Sequence, residues 1–325
     1  QFQAINNSLI DLSNKVSSNG SDKIYWKFIL RILSIKSIDP NFYIEQVTFL
    51  CLACSLNDFD VVKSLISIEK IDVNKYEIIS YLTPLMIALE NENEKIAELL
   101  INHPRIDINM RNNEDKSALH LAVIHKLPKI VDLLLKSEKF DPIESGLDYS
   151  FYLADVDIAK ILIQSSFLDI NHCFNINKTK VFDETTALIH SVEINDVDKI
   201  KLIINHPLFD KDQSNVNEAV FVTAKENNIE VFKILIKMLN NNINIQNNIN
   251  PISLLATAAA NLSGEIIDEI FKIADQIPPK EPSVAKAFVY TISFKGHLKQ
   301  QNLRLGQRFQ QQQINQLIVL NKEFI

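Results

Sequence analysis

Thr83-Pro84-Leu85-Met86-Ile87-Ala88 is answered thirty-four residues later by Ser117-Ala118-Leu119-His120-Leu121-Ala122. Thirty-five residues before it stands Thr48-Phe49-Leu50-Cys51-Leu52-Ala53, and Thr186-Ala187-Leu188-Ile189-His190-Ser191 lies 69 residues after Ser117. A weaker copy runs from Glu218 to Thr223. A second block follows each at fixed distance: Ile96-Ala97-Glu98-Leu99-Leu100-Ile101 matches Ile130 to Leu135, Val61 to Ile66, Lys199 to Ile204 and Val231 to Ile236. A third block closes each unit: Ile71-Asp72-Val73-Asn74, Ile106-Asp107-Ile108-Asn109, Phe140-Asp141, Leu168-Asp169-Ile170-Asn171 and Phe209-Asp210. Counted from Asp39 and ending at Asn244, the steps are 33, 35, 34, 28, 41 and 34 residues. The short and long steps together make two periods, so one unit is trimmed and the loop after it lengthened. Chance does not hold such a phase over some 200 residues.

Each unit reads as two short helices and a loop. In the second block Ile96, Leu99 and Leu100 fall at i, i+3 and i+4, which gives one buried helical face. Thr83-Pro84, or a Ser at the same place, is helix-initiation chemistry: a hydroxyl N-cap and proline in the first turn. Ala53, Ala88 and Ala122 mark close helix approach. The second helix is expected to end at Asn102-His103-Pro104 and Asn205-His206-Pro207, with Asn in the left-handed position and Pro preventing continuation. Neither helix can bury its apolar face alone, so the units must stack.

This pattern resembles the ankyrin repeat, whose first helix opens with T-P-L-H-x-A and whose period is near 33. Thr83-Pro84-Leu85 and Leu119-His120-Leu121-Ala122 carry most of that signature. The resemblance covers about residues 22–275. It implies an all-α, ankyrin-like α-solenoid of stacked helix-turn-helix units with short hairpin loops. Residues 1–47 then form an N-terminal capping region and a degenerate repeat. Residues 48–276 hold about six repeats, starting near 48, 83, 117, 145, 186 and 218, with a last degenerate one near 250. Residues 277–325 form a basic, Gln-rich helical tail or cap. Family members carry glycine before the Asp-x-Asn corner; here the loop is one residue longer and carries His-Pro or other residues.

Composition narrows the chemistry. The 325 residues include only 5 glycines against 33 asparagines, and Asn tolerates positive φ better than other non-glycine residues. No G-x-G or Walker pattern can be written, which excludes most nucleotide-dependent enzymes. Hydrophobic residues at 46% and charged residues at 22% fit a folded chain. The net charge of −7 argues against general nucleic-acid binding. No apolar run reaches 18 residues, so no membrane span is expected. Three cysteines make no disulfide framework and favour a reducing, intracellular and cytoplasmic setting. The first residue is Gln1 rather than Met, so a longer parent protein is an expectation.

Cys51-x-x-Cys54 lacks the second ligand pair of a zinc site and the βαβ setting of a redox motif, and reads as buried structural thiols. His120 occupies the family's signature position, where the resemblance implies hydrogen bonding between adjacent loops. His103 and His206 are equivalent helix-end positions. Asp72, Asp107, Asp169 and Asp210 look like a carboxylate series, but their phase marks them as turn formers. No G-x-S-x-G exists. No enzyme, cofactor or metal is expected.

The resemblance implies protein binding through the concave face, formed by hairpin tips and the first helices. The tips vary between units, as binding residues should. Tyr76, Glu77, Tyr81, Met110, Arg111, Asn113, Lys116, Phe174, Lys178 and Lys180 are the candidate partner-binding residues, the first class being aromatic, Met and Arg types enriched at interfaces. The insertion 171–184 is the strongest loop candidate, since lengthening on a regular scaffold has no folding purpose. The tail from Pro279 holds seven Lys or Arg against Glu281 and Glu323, and contains Gln310 to Gln313. It reads either as a cap on the last repeat or as a segment ordered by a partner. The expected function is a non-catalytic protein-interaction scaffold or adaptor. The alternatives are a structural subunit of a large assembly, such as a cytoskeletal surface, anchored by the tail, and the targeting segment of a longer enzyme.

Overall fold

The computed structural model describes residues 2–19, 23–35, 38–44, 46–175, 184–210, 214–240, 254, 257–258, 261 and 263–274. They divide between two compact units, Gln1–Asp169 and Ile170–Ile325. The tail 277–325 and the centre of the insertion, 176–183, lie outside the described residues.

The first unit opens with α1 (Phe2–Asn19) and α2 (Lys23–Leu33), which pack together. Four helix pairs follow: α3 (Phe49–Ser55) with α4 (Phe59–Ile66), α5 (Pro84–Glu90) with α6 (Glu94–Ile101), α7 (Ala118–Ile124) with α8 (Pro128–Leu135), and α9 (Leu147–Leu153) with α10 (Val156–Leu162). The first helices α3, α5, α7 and α9 stack in one row, and α4, α6, α8 and α10 in a second, with α2 against α4. The core lies between the rows. Ala53, Ala88 and Ala122 are fully buried in it. Phe49 closes the first pair, edge-on to Trp26 at 6.3 Å and to Phe42 at 5.5 Å.

The caps explain the unit starts. Thr48, Thr83 and Ser117 accept, through their hydroxyls, the amides of Cys51, Met86 and His120. The second helices are capped by Asp58, Asn93 and Asp155 in the same way, while Pro128 opens α8 without a side-chain cap. The trimmed fourth pair has lost its hairpin: Asp141 leads within six residues into α9, and only Ala154 and Asp155 separate α9 from α10.

The left-handed residues stand elsewhere than expected. Asn102 and Asn205 are right-handed, with φ of −76° and −89°. No left-handed residue is needed there, because Asn102 uses its own side chain: Nδ2 donates to Glu98 O at 2.8 Å. Five of the positive-φ residues, Asn57, Glu92, Lys126, Asn195 and Asn227, each stand between the two helices of a unit, while Tyr81, Asp115, Gly146 and Asn215 lie in the segments before the first helices.

The Asp-x-Asn corner is an inter-repeat ladder. Asp39, Asp72 and Asp107 each accept the amide of the Asn two residues on, at 2.9, 3.0 and 2.9 Å. The Asn then reaches the next unit with both ends of its amide. Asn41 donates to Lys70 O and accepts from Asp72 N; Asn74 does the same with Arg105 O and Asp107 N, and Asn109 with Lys139 O and Asp141 N. Asn109 Oδ1 also accepts Ser145 Oγ at 2.6 Å. Asn109→Ala should therefore destabilise the first unit by about 2 kcal/mol in urea unfolding, and Asn74→Ala, with two solvent-facing bonds, by about 1 kcal/mol. A cost for Asn109→Ala within the ~0.5 kcal/mol of ordinary surface changes would show that the ladder holds nothing.

The second unit begins with a two-stranded antiparallel ribbon, β1 (Cys173–Asn175) and β2 (Glu184–Thr186), in the register Cys173 to Thr186. It continues with α11 (Ala187–Glu193), α12 (Val197–Ile204), α13 (Val216–Lys225), α14 (Ile229–Asn240) and α15 (Gly264–Ala274). The same devices recur. Thr186 caps α11, Asp196 caps α12, and Asn171 donates to Leu208 O and accepts from Asp210 N at 2.8 Å each.

Candidate functional site

The loop 75–82, between the second corner and α5, projects the largest apolar group on any hairpin of the first unit. Tyr76, Ile78, Ile79 and Tyr81 are 38, 45, 67 and 47% exposed. The Tyr76 and Tyr81 rings lie 5.1 Å apart with a tilt of 53°. Water-facing side chains of this kind suit a loop that meets something apolar.

The loop itself is held rigidly. The Glu77 side chain is buried beneath it and accepts three amides: Ile79 N at 2.8 Å, Ser80 N at 2.5 Å and Leu82 N at 3.3 Å. Glu77 N–H donates to Leu82 O at 3.0 Å and closes the turn. From the preceding unit, Tyr43 Oη donates to Tyr76 O at 3.0 Å, and Gln46 O accepts Ile78 N–H at 3.0 Å. From the following hairpin, Asn113 N–H donates to Ser80 O at 3.2 Å and its Nδ2 to Ile79 O at 3.1 Å. Tyr81 sits at φ +57°, a conformation that costs a non-glycine residue about 1–2 kcal/mol. Backbone strain held by surrounding bonds is a mark of segments kept for recognition. Lys75 Nζ lies 4.5 Å from the Tyr43 ring centre, and burial together with nearby Tyr76 raises the Tyr43 hydroxyl above its ordinary value.

The other sequence candidates take different places. Met110 is half-buried at the base of the next hairpin. Arg111 points back into the stack: Nε donates to Glu144 O at 2.9 Å and one terminal nitrogen to Ile143 O at 3.0 Å, and it pairs with Asp115 at 3.0 Å. Charge reversal there would break the junction between units. Asn113 braces the 75–82 loop, and Lys116 pairs with Glu114 at 2.7 Å. Glu77, a candidate contact in the sequence, is an internal brace. Phe174 is in β1, opposite Thr185. Lys178 and Lys180 lie outside the described residues. Thus Tyr76 and Tyr81 come together, Glu77 and Asn113 support them from below and beside, and Arg111 faces a different junction. Ile78 and Ile79 complete the cluster and were missed. The available signal was two consecutive isoleucines between the candidates Glu77 and Tyr81.

Cys51, Cys54 and His120 take places in the packing and the helix caps. Cys51 and Cys54 are buried, and Cys51 Sγ donates to Lys75 O at 3.4 Å. Burial pushes the Cys51 thiol up to about 11 and the Cys54 thiol well above its usual value, so neither supplies a thiolate at neutral pH. His120 does not bridge adjacent loops: its Nδ1 accepts Ser117 N–H at 3.0 Å within its own turn, completing a capping box. The link to the next unit is made by the cap hydroxyl, since Ser117 Oγ donates to Ser145 O at 2.6 Å. Thr186 Oγ1 donates to Ser214 O at 3.0 Å in the same way. Among the described residues no group of His, Cys, Asp and Glu is placed to hold a metal ion, and no helix is long and apolar enough to cross a membrane.

Comparison with known proteins gives a consistent result. The family model described as ankyrin repeats (3 copies) matches residues 28–144. An ankyrin repeat protein of fowlpox virus (strain NVSL) is 31% identical over 189 residues, covering 55% of this chain and 53% of that protein. Alpha-latrotoxin-Lg1a of Latrodectus geometricus is 28% identical over 160 residues, covering 47% of this chain and 11% of the toxin. The chain thus spans about half the length of the viral relative and a small part of the toxin. The crystal structure of the ankyrin repeat domain of Bcl-3 superposes with a TM-score of 0.51 at 19% identity, covering 64% of this chain and 93% of that one. At that identity the likeness concerns the fold.

Proposed function

Because the chain carries an ankyrin-repeat array, we propose that it is a non-catalytic protein-interaction module and that the 75–82 loop is its principal docking point. Ankyrin repeats generally bind proteins. The observation that carries the finer reading is the rigid presentation of Tyr76, Ile78, Ile79 and Tyr81. A loop already fixed by Glu77, Tyr43, Gln46 and Asn113 loses little conformational entropy when it binds. Two tyrosines beside two isoleucines supply the large, low-entropy contact area typical of interface anchors. The fitting partner surface is an apolar recess on a folded protein, rimmed by polar groups that meet Lys75 and the Glu114–Lys116 pair.

Ile79→Glu tests this directly, because Ile79 is the most exposed member and caps nothing. Affinity capture from an extract of the producing cells, with the wild-type and variant chains side by side, should show at least one protein whose recovery falls by about thirtyfold with the variant, the loss expected of a hot-spot side chain. The melting temperature should be unchanged. Equal recovery of every bound protein by both chains would move the docking point away from this loop.

A further inference from the structure

A separate surface of the first unit carries a second, differently charged pattern. In α2 the side chains of Trp26, Ile29 and Leu33 form the buried seam. Ile24 and Phe28, with Ile35 just beyond the helix end, fall on the opposite side at about 100° per residue, and are 55, 54 and 48% exposed. Lys27 and Arg31, both exposed, run alongside this stripe one helical step away. On α1, Lys15 Nζ stands 5.9 Å from the ring centre of Tyr25, which lies across the stripe from Lys27, so a cation also stands on its other side. From Lys23 to Lys36 the sequence holds four cations and no carboxylate, in a chain whose net charge is −7.

Three features select the occupant. The apolar side chains stand directly opposite the buried seam, so they form a ridge and not a groove. Recognition of a peptide helix uses a groove, whereas a ridge meets a plane. The cations flank the ridge along its length, as in helices that lie at a lipid interface with their apolar side chains at the acyl boundary. The sign of the charge complements anionic headgroups, against the sign of the chain as a whole.

We propose that the outward face of α2 rests on an anionic phospholipid surface, with Ile24, Phe28 and Ile35 entering the headgroup–acyl boundary and Lys27 and Arg31 meeting lipid phosphates. The contact is peripheral and reversible, since a few partly exposed side chains and cations give only modest membrane affinity.

Co-sedimentation of the full chain with vesicles provides the test. Wild-type protein should pellet with phosphatidylserine-containing vesicles and stay in solution with pure phosphatidylcholine. Binding should fall when salt is raised from about 0.1 M to about 0.5 M. The double variant K27E/R31E should partition at least tenfold more weakly, and Phe28→Ser should weaken binding without changing its salt dependence. Trp26 is the only tryptophan and faces the core, so its emission should stay the same in both variants and on binding. Undiminished binding by K27E/R31E would overturn the proposal and place lipid contact elsewhere in the chain. A shift of Trp26 emission on binding would also overturn it, because the helix would then have left its seat. Absence of vesicle binding overturns it too, and binding of a synthetic acidic amphipathic peptide in its place would reassign the face to a protein helix.

Discussion

Lowering the pH from 6.5 to 4 should destabilise the first unit by about 3 kcal/mol through His120 alone. The imidazole is buried in the capping box of α7, and its Nδ1 accepts the Ser117 amide at 3.0 Å. Burial, and then the positive charge of Arg111, hold its pKa down at about 4 against the ordinary 6.5. Well above pH 6.5 the ring is neutral in both folded and unfolded chains, and the full stability is present. Between 6.5 and 4 the unfolded chain binds a proton that the folded chain refuses, so stability falls steadily until the folded ring also titrates. A difference of about 2.5 pKa units corresponds to about 3 kcal/mol. Protonation also turns the acceptor nitrogen into a donor that faces the Ser117 N–H. His103 is shifted down by burial as well and contributes a slope of the same sign, as His190 does in the second unit. The comparison that isolates His120 is His120→Gln, which keeps a side-chain acceptor at the third helical position and does not titrate. Urea unfolding of both chains at pH 6.5 and pH 4 should show the variant losing about 3 kcal/mol less. Parallel losses would mean that the ring is not held neutral by the fold.

The same junction shows what sequence can and cannot convey. The starts of the units were legible at Thr48, Thr83, Ser117 and Thr186, because a hydroxyl cap and the apolar residues after it involve several side chains in phase. The Asp-x-Asn corners were legible as turns for the same reason. The use made of Asn41, Asn74 and Asn109 was not, because their partners lie 29 to 33 residues away on the main chain, and a backbone carbonyl leaves no trace in a sequence. Arg111 is a parallel case: it reads as an interface residue, yet its partners are the carbonyls of Ile143 and Glu144. The left-handed corners were misplaced because Glu92 and Lys126 carry no sequence mark of positive φ. There the stacking of the helices imposes the conformation on whatever residue is present. The candidate site was half legible. Tyr76 and Tyr81 are interface types by identity, whereas Ile78 and Ile79 are core types, and only the fold shows them facing water. The abundance of asparagine also acquires a cause. Asn serves at the corners, as a second-helix cap at Asn93, and at positive φ in Asn57, Asn195 and Asn227. Asn93 further donates to Asn57 at 3.1 Å, and Asn228 to Asn195, so the inter-helix turns carry a second ladder.

Gly146→Ala should be the most damaging methyl addition in the first unit, at about 3 kcal/mol. Gly146 lies at φ +67° at the start of α9. A Cβ there would stand 2.4 Å from His120 Cε1 and 2.8 Å from Nε2. The left-handed backbone costs alanine about 1–2 kcal/mol, and forcing a filled core to move adds about 1–3 kcal/mol. The ring cannot withdraw freely, because His120 is tied to Ser117 and Ser117 Oγ is tied to Ser145 O, the residue before the glycine. The positive-φ sites between paired helices escape this cost. Asn57, Glu92, Lys126, Asn195 and Asn227 are all exposed, so their side chains leave into solvent. Gly146, by contrast, faces a packed ring, and there the chain retains one of its five glycines. A double-mutant cycle divides the two contributions. Removing the imidazole with His120→Ala should abolish the steric part, so that Gly146→Ala costs about 1–3 kcal/mol less in that background. Gly146→Asn, which tolerates positive φ, should recover part of the backbone contribution but none of the clash. Additive effects of Gly146→Ala and His120→Ala in urea unfolding would show that the ring does not define the space at this junction.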